Sequence, residues 1–234
     1  SKGCAIITGG TGALGTHLAK IFLQDGFQIA VTYVFDSEVD PFLEQTIDFE
    51  QQVNLHQVDV TDPIQVQRFT ATIINQFEGI DVVANIAGGF IGGLSVSEMD
   101  TEKWDFMMDL NLKSVFLMCK AVLPHMVERG SGKIVNVSAR AGLAGAAGMG
   151  AYCVSKAGVR TLTESIAEEV KDKGININAI MPSIIDTQAN RQSMPKADFS
   201  KWVSPHQIAK VVRFLVSEDA QIINGAAIPV YGQA

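Results

Sequence analysis

The stretch ITGGTGALGTH, residues 7–17, decides the fold of this chain. It follows the apolar run CAIIT (4–8) and precedes THLAKIFLQDG (16–26), whose apolar residues recur at helical spacing. Between a strand and a helix, a glycine pattern can bind a phosphate, because glycine permits a tight turn and the helix N-terminus presents free N–H groups. The alternative is a purely structural turn where the strand packs closely on the helix.

Composition indicates a globular enzyme-sized domain. The 234 residues are 47% hydrophobic and 18% charged, with a net charge of −7. No cluster of Lys or Arg occurs, so a nucleic-acid partner is not expected. Cys4, Cys119 and Cys153 lack metal-ligand or disulfide spacing, which favours a reducing, cytoplasmic setting without a bound metal. No apolar run reaches membrane-spanning length and no signal peptide is recognised, so no membrane association is expected.

Apolar runs alternate with helix-like segments along the whole chain, and no linker or repeat interrupts them. The pattern predicts an α/β fold: a single-domain Rossmann fold over residues 1–234, with a doubly wound parallel sheet of about seven strands and helices on both faces. The remaining predicted strands are 28–34, 53–60, 80–89, 132–139, 175–183 and 225–232. The remaining predicted helices are 62–79, 100–130 (bent near Pro124), 151–174 and 204–220.

Ligands of such sheets bind beyond the carboxyl ends of the strands. The unusual residues of this chain fall there, in segments 8–15, 33–37, 59–62, 85–93, 137–150 and 182–203.

Tyr152 and Lys156 are the clearest candidate catalytic pair. At a spacing of four they share one helix face, and an ammonium group beside a phenol lowers the pKa of the phenol. Such a tyrosine exchanges a proton near neutral pH. The alternative is an ordinary amphipathic helix, since Tyr-x-x-x-Lys often arises by chance.

Together, the glycine stretch and the Tyr-Lys pair resemble the short-chain dehydrogenase/reductase family, and the resemblance runs along nearly the whole chain. Further matches are Asp59, the run 85–88 (NIAG), Asn111, IVNVS (134–138), Pro182 and Thr187. The resemblance implies an NAD(P)(H)-dependent oxidoreductase that moves a hydride between nicotinamide and a carbonyl or imine carbon of a small molecule. Tyr152 would be the general acid and base, and Lys156 would hold the nicotinamide ribose.

Asn111 would bind a water that relays protons to Lys156, or would be a buried amide that bridges helix and strand. The resemblance also implies a set of cofactor contacts. These are Gly9, Thr11, Gly12, Ala13, Leu14, Gly15, Tyr33, Asp59, Val60, Asn85, Ala87, Gly88, Lys156, Pro182, Ile185 and Thr187.

The chain departs from the family pattern at several positions. The usual catalytic serine, 13 residues before the tyrosine, is Ala139. Ser138 is a candidate replacement, although strand alternation would turn it to the opposite face. The family's middle glycine is Ala13, yet the glycines also fit Thr-Gly-x-x-Gly-x-x-Gly. Ile86 and Ser183 replace a second asparagine and a glycine.

These departures resemble the dihydropteridine reductases within the family, which reduce a quinonoid dihydropterin with NADH. The resembling segments are GGTGALG (9–15), AGGFIGG (87–93), AGMGAYCVSK (147–156) and DTQANRQSMPKADFSKW (186–202). Asn111 and the tail 223–232 instead resemble compact carbonyl reductases, so the substrate stays open. Segment 186–203 is either a substrate lid or a structural cover that packs through Met194, Phe199 and Trp202.

Cofactor preference depends on the end of the second strand, where Tyr33 is followed by Asp36. No Lys or Arg lies between Lys20 and Arg68, so the 2′-phosphate of NADP(H) would lack a local cation. This favours NAD(H) over NADP(H). A non-catalytic dinucleotide sensor on the same fold is the competing hypothesis.

Assembly as a homodimer or homotetramer is expected, because in this family helices such as 100–130 and 151–174 form subunit interfaces. The expectation of an interface depends on apolar residues that lie on more than one face of the first helix: Val115, Leu117, Met118 and Val122. The alternative is that these side chains only fill the core.

Overall fold

A computed structural model of the protein, which describes residues 2–233, contains one parallel sheet of seven strands. The strands are β1 (Cys4–Thr8), β2 (Gln28–Tyr33), β3 (Val53–Gln57), β4 (Val82–Asn85), β5 (Gly132–Val137), β6 (Ile175–Pro182) and β7 (Ala227–Val230). Their order is β3-β2-β1-β4-β5-β6-β7, and every neighbouring pair is parallel. The order reverses between β1 and β4, where such sheets open a ligand crevice.

Eight α-helices cover the sheet in the described residues. They are α1 (Ala13–Gln24), α2 (Val39–Thr46), α3 (Pro63–Phe77), α4 (Thr101–Met108), α5 (Ser114–Arg129), α6 (Gly150–Val170), α7 (Gln188–Ser193) and α8 (Pro205–Leu215). None of these helices is long and apolar enough to cross a bilayer.

The sheet has an apolar core on each face. Along β1, Cys4 and Ile6 face one core, whereas Ala5 and Ile7 face the other, because successive strand residues point to opposite sides. The first core packs against α3, α5 and α6, and the second against α1, α2 and α8. The predicted doubly wound α/β fold is therefore confirmed.

The predicted helical stretch 100–130 is helical without a break over residues 101–129, but its irregularity falls at 109–113 and not near Pro124. A wider π-helical turn, Asp109–Lys113, separates α4 from α5, and α5 continues through Pro124 to Arg129. The turn carries Asn111, which is fully buried. The hydroxyl of Ser114 donates to the Leu110 carbonyl oxygen at 2.6 Å, within the same turn.

Two further predictions differ from the structure. The side chains taken as evidence for a subunit interface, Val115, Leu117, Met118 and Val122, are buried in the core, so the alternative interpretation holds for them. Helices α2 and α7 were not predicted, because each is short.

Candidate active site

The glycine stretch forms the turn between β1 and α1. Gly9 has a φ of +59°, which favours glycine, and a Cβ added to Gly15 would lie 2.4 Å from the Gly10 Cα. Helix α1 begins at Ala13, and Gly12 precedes it without a side-chain capping hydrogen bond. No side chain of the cap therefore accepts from the first-turn N–H groups of α1, and a helix N-terminus of this kind can bind an anion.

A cleft of about 350 Å³ opens above this turn, between β1 and β4. It brings together most of the predicted cofactor contacts: Gly9, Thr11, Gly12, Ala13, Leu14, Gly15, Tyr33, Val60, Ala87, Gly88 and Thr187. Its remaining lining residues were not predicted: Thr32, Val34, Phe35, Glu38, Val58, Ile86 and Leu110. The glycine turn and the position of the cleft where the strand order reverses fit a dinucleotide.

Five predicted cofactor contacts are not among the residues that line the cleft, and one of them, Lys156, lies beside the lining residue Gly88. Asp59 accepts hydrogen bonds from the backbone N–H and the hydroxyl of Thr61. Asn85 is buried and donates to the Asn136 side chain at 2.8 Å, which ties β4 to β5. The other two are Pro182, which ends β6, and Ile185, whose carbonyl oxygen accepts from Asn190.

Glu38 is the charged residue that sequence reasoning missed. It ends the short 3-10 turn Asp36–Glu38 after β2, and its Oε2 accepts a hydrogen bond from the Thr11 hydroxyl at 3.0 Å. Asp36, the predicted acidic residue, does not line the cleft. The only sequence signal for Glu38 was its acidity just beyond β2.

The Tyr152–Lys156 pair lies in the first turns of α6. Lys156 is 4% exposed, and its Nζ donates to the Val137 carbonyl oxygen at 2.9 Å. This Nζ lies 6.0 Å from the centre of the Tyr152 ring. The helical spacing thus places both groups on one face, as predicted.

The electrostatics of the pair differ from the prediction. Burial raises the pKa of Tyr152 to about 12 and lowers the pKa of Lys156 to about 8. Desolvation by burial is the larger cause for the phenol, and Cys153 raises its pKa further. The expected lowering of the phenol pKa is therefore wrong.

Asn111 joins the pair to the cleft. Its Nδ2 donates to the Gly89 carbonyl oxygen at 3.0 Å and to the Ser155 Oγ at 3.2 Å, and its Oδ1 accepts from the Gly89 N–H at 2.9 Å. A Cβ on Gly88 would lie 2.9 Å from that Oδ1 and 3.2 Å from the Lys156 Nζ. Asn111 is thus a buried amide that bridges the loop after β4 and helix α6. The lining residue Gly88 lies next to both the Asn111 side chain and the Lys156 ammonium group.

Ser138 has a structural contact. Ser138 is 1% exposed, and its hydroxyl donates to the Lys156 carbonyl oxygen at 2.6 Å, which holds the end of β5 against α6. Alternation along the strand accounts for this direction. The catalytic role considered for Ser138 therefore has no support, and Ala139 occupies the usual serine position without a hydroxyl.

Segment 186–203 follows β6 and contains α7. The Thr187 hydroxyl accepts from the Asn190 N–H and caps this helix. The Arg191 guanidinium pairs with Asp186 and lies 4.8 Å from the Phe199 ring, which in turn lies 4.8 Å from the Trp202 ring. Because Trp202 is buried, the segment is at least a structural cover.

The family model for the short chain dehydrogenases matches residues 3–198. The chain belongs to this family. It is accordingly an NAD(P)-dependent oxidoreductase. In the described residues, no group of three or more His, Cys, Asp or Glu side chains could hold a metal ion.

Relatives with different substrates cover nearly the whole chain. The 3-oxoacyl-(acyl-carrier-protein) reductase of Thermotoga maritima is 28% identical over an alignment of 235 positions, which covers 97% of this chain and 95% of that protein. The 2-(R)-hydroxypropyl-CoM dehydrogenase of Xanthobacter autotrophicus is 33% identical over 97% of this chain and 96% of that protein. The structure of ElxO with NADP bound has a TM-score of 0.93 at 29% identity, covering 99% and 98% of the two chains.

Proposed function

We propose that this oxidoreductase transfers a hydride between nicotinamide and a carbonyl or imine carbon, with Tyr152 as the general acid and base. The observation that carries the proposal is the juxtaposition of Tyr152 with the buried Lys156 beside Gly88, a lining residue of the dinucleotide-sized cleft. A lysine buried beside a tyrosine at a cleft edge indicates a function, because burial of an ammonium group is costly.

The bound cofactor would supply or accept the hydride. The N–H groups of Ala13 and Leu14 would hold its diphosphate, and Lys156 would hold the nicotinamide ribose. Thr187, which lines the cleft, would lie toward the nicotinamide end. Each of these residues is available in the cleft or at its edge, and the glycine turn leaves the backbone free for close approach.

Tyr152 is suited to donate a proton. With its pKa near 12 the phenol is protonated at neutral pH, so it can protonate the substrate oxygen or nitrogen as the carbon gains the hydride. The O–H bond of Tyr152 breaks, and the resulting phenolate recovers a proton from the Lys156 ammonium group, whose pKa near 8 leaves it largely protonated at neutral pH. In the oxidative direction the same groups move the proton the opposite way.

Asn111 acts in this proposal as a positioning residue. Its carboxamide fixes Gly89 and Ser155, so it holds the loop after β4 against α6. A proton relay through a water at the π-helical turn remains a prediction. The Ala139 position provides no hydroxyl to polarise a substrate carbonyl, which suits electrophilic substrates such as diketones or a quinonoid dihydropterin.

The first test is NADH oxidation against aldehydes, cyclic ketones, diketones, quinones and quinonoid dihydropterin. We expect turnover with at least one carbonyl class. The measurement is the loss of absorbance of the reduced nicotinamide. Turnover confined to the pterin would assign the dihydropteridine-reductase-like activity. Tight NADH binding without turnover of any compound would instead favour the non-catalytic sensor.

We also propose that the protein prefers NAD(H), although ElxO was solved with NADP. Glu38 supports this preference, because its carboxylate lies against Thr11 in the cleft, near the end of β2 where the adenosine ribose binds in this fold. Neither Lys nor Arg is among the described residues that line the cleft. A 2′-phosphate would meet a negative charge there and no cation.

Glu38→Gln is expected to raise the affinity for NADPH relative to NADH about tenfold. The substitution keeps the size of the side chain and removes one like-charge contact, which is worth on the order of 1 kcal/mol. Fluorescence titration of both cofactors measures the ratio. Asp36→Asn is the matched control, because it removes the same charge two residues away, outside the cleft lining. An equal shift in both variants would contradict a specific role of Glu38.

Assembly belongs to the same proposal. Large apolar side chains remain exposed on α4, α5 and α6, including Phe106, Phe116 and Val154. A homodimer or homotetramer would cover them. The three cysteines are free and buried, in keeping with the cytoplasmic setting that we expect.

A further inference from the structure

The loop after β4 presents a phenylalanine directly at the proposed catalytic tyrosine. The Phe90 ring is edge-on to the Tyr152 ring, with centroids 5.0 Å apart and planes at 86°. Phe90 is nevertheless 60% exposed, so most of its surface is left uncovered beside the phenol. A large aromatic side chain gains little stability in such a position, since it removes little apolar surface from water.

Hydrogen bonds hold the loop on both sides of Phe90. On one side, the Gly89 N–H and carbonyl oxygen are both bonded to the Asn111 carboxamide, at 2.9 and 3.0 Å. On the other side, the Gly93 N–H donates to the Gly148 carbonyl oxygen at 2.8 Å, in the loop that leads into α6. Phe90 is therefore carried by a segment that is fixed to both neighbours of the site.

The glycines of this loop make room for the ring. A Cβ on Gly92 would lie 2.4 Å from the Phe90 ring, so any other residue there would displace it. Gly93 and Gly148, which are joined by the backbone hydrogen bond between the two loops, have φ values of +85° and +72°. This region of φ favours glycine. The glycine-rich sequence AGGFIGG thus allows this ring to fold back over its own loop toward Tyr152.

We propose that Phe90 is the aromatic wall of the substrate site and that it selects a carbonyl or imine conjugated with a flat ring. The inference rests on the proposed role of Tyr152, because a substrate that reacts at the phenol would lie beside the exposed part of Phe90. Flat π-systems gain from offset or edge contacts with such a ring, beyond the area that they bury. A saturated ring of equal size gains only the burial.

The test compares phenyl methyl ketone with cyclohexyl methyl ketone, which carry the same reacting group on a flat and a puckered ring. In Phe90→Leu, which keeps apolar bulk, the kcat/KM ratio of the phenyl to the cyclohexyl ketone is expected to fall about two- to tenfold, mainly through KM. Phe90→Tyr retains the aromatic face and is expected to keep the wild-type ratio. Phe214→Leu, an exposed phenylalanine on α8, is the matched control.

Ligand-observed NMR on the Tyr152→Phe variant with NADH separates the two possible failures, because it measures binding of both ketones without chemistry. If adding Phe90→Leu removes the preference for binding the phenyl ketone, the aromatic wall is supported. This holds even if the wild-type protein reduces neither ketone, because a lack of turnover would count against the catalytic proposal alone. An unchanged preference in binding and in kcat/KM overturns the aromatic wall. If the wild-type enzyme still turns over both ketones, the catalytic proposal for Tyr152 is not affected by that result.

Discussion

Tyr152→Phe is expected to lower turnover about 10²- to 10⁴-fold and to leave the dissociation constant of NADH within about twofold. The substitution removes one hydroxyl and keeps the ring that contacts Phe90. The proton that completes the reduced product then has no positioned donor. Ala139 provides no hydroxyl, and the Ser138 hydroxyl is bonded to the Lys156 carbonyl oxygen. Steady-state kinetics and a fluorescence titration of NADH measure the two quantities.

Tyr231→Phe is the matched control for this change. The Tyr231 hydroxyl is buried and has no hydrogen-bond partner among the described residues, so its removal leaves no polar group unpaired. We expect that variant to retain nearly full turnover. If Tyr152→Phe kept turnover within threefold of the wild type, Tyr152 would not be the proton donor, and the buried Lys156 would need another explanation.

The fold followed from the sequence because its determinants are local. Alternation of strand-like and helix-like runs predicted all seven strands, and the glycines of residues 9–15 located the crevice at the switch between β1 and β4. Strand alternation also gave the reason to doubt Ser138. Each of these inferences uses residues within one element, or elements that are consecutive along the chain.

The missed features depend on residues that are far apart in sequence. The position of Glu38 depends on Thr11, 27 residues earlier, and the position of the Phe90 loop depends on Asn111 and Gly148. The π-helical turn at Asn111 likewise has no local pattern that distinguishes it from α-helix. The pKa prediction failed for a related reason, since desolvation of Tyr152 depends on what packs around it.

Gly15→Ala is expected to weaken NADH binding at least tenfold and to destabilise the fold by about 1–3 kcal/mol. The added methyl would lie 2.4 Å from the Gly10 Cα and 2.7 Å from the Gly10 carbonyl oxygen. Gly10 has little room to retreat, because a Cβ on it would lie 2.7 Å from the Val31 side chain. The turn must therefore open, which moves the N-terminus of α1 away from the position that would hold the diphosphate. Calorimetric titration of NADH and denaturant unfolding measure the two effects.

Gly145→Ala provides the control, because a Cβ there meets no atom within 4 Å and its φ is not in the left-handed region. We expect it to leave both quantities nearly unchanged. The contrast also explains Ala13, which replaces the middle glycine of the usual family pattern. Ala13 is the first residue of α1 and tolerates its methyl group, whereas the close strand-to-helix approach falls on Gly10 and Gly15. Normal NADH affinity in Gly15→Ala would mean that the diphosphate is not bound at this turn.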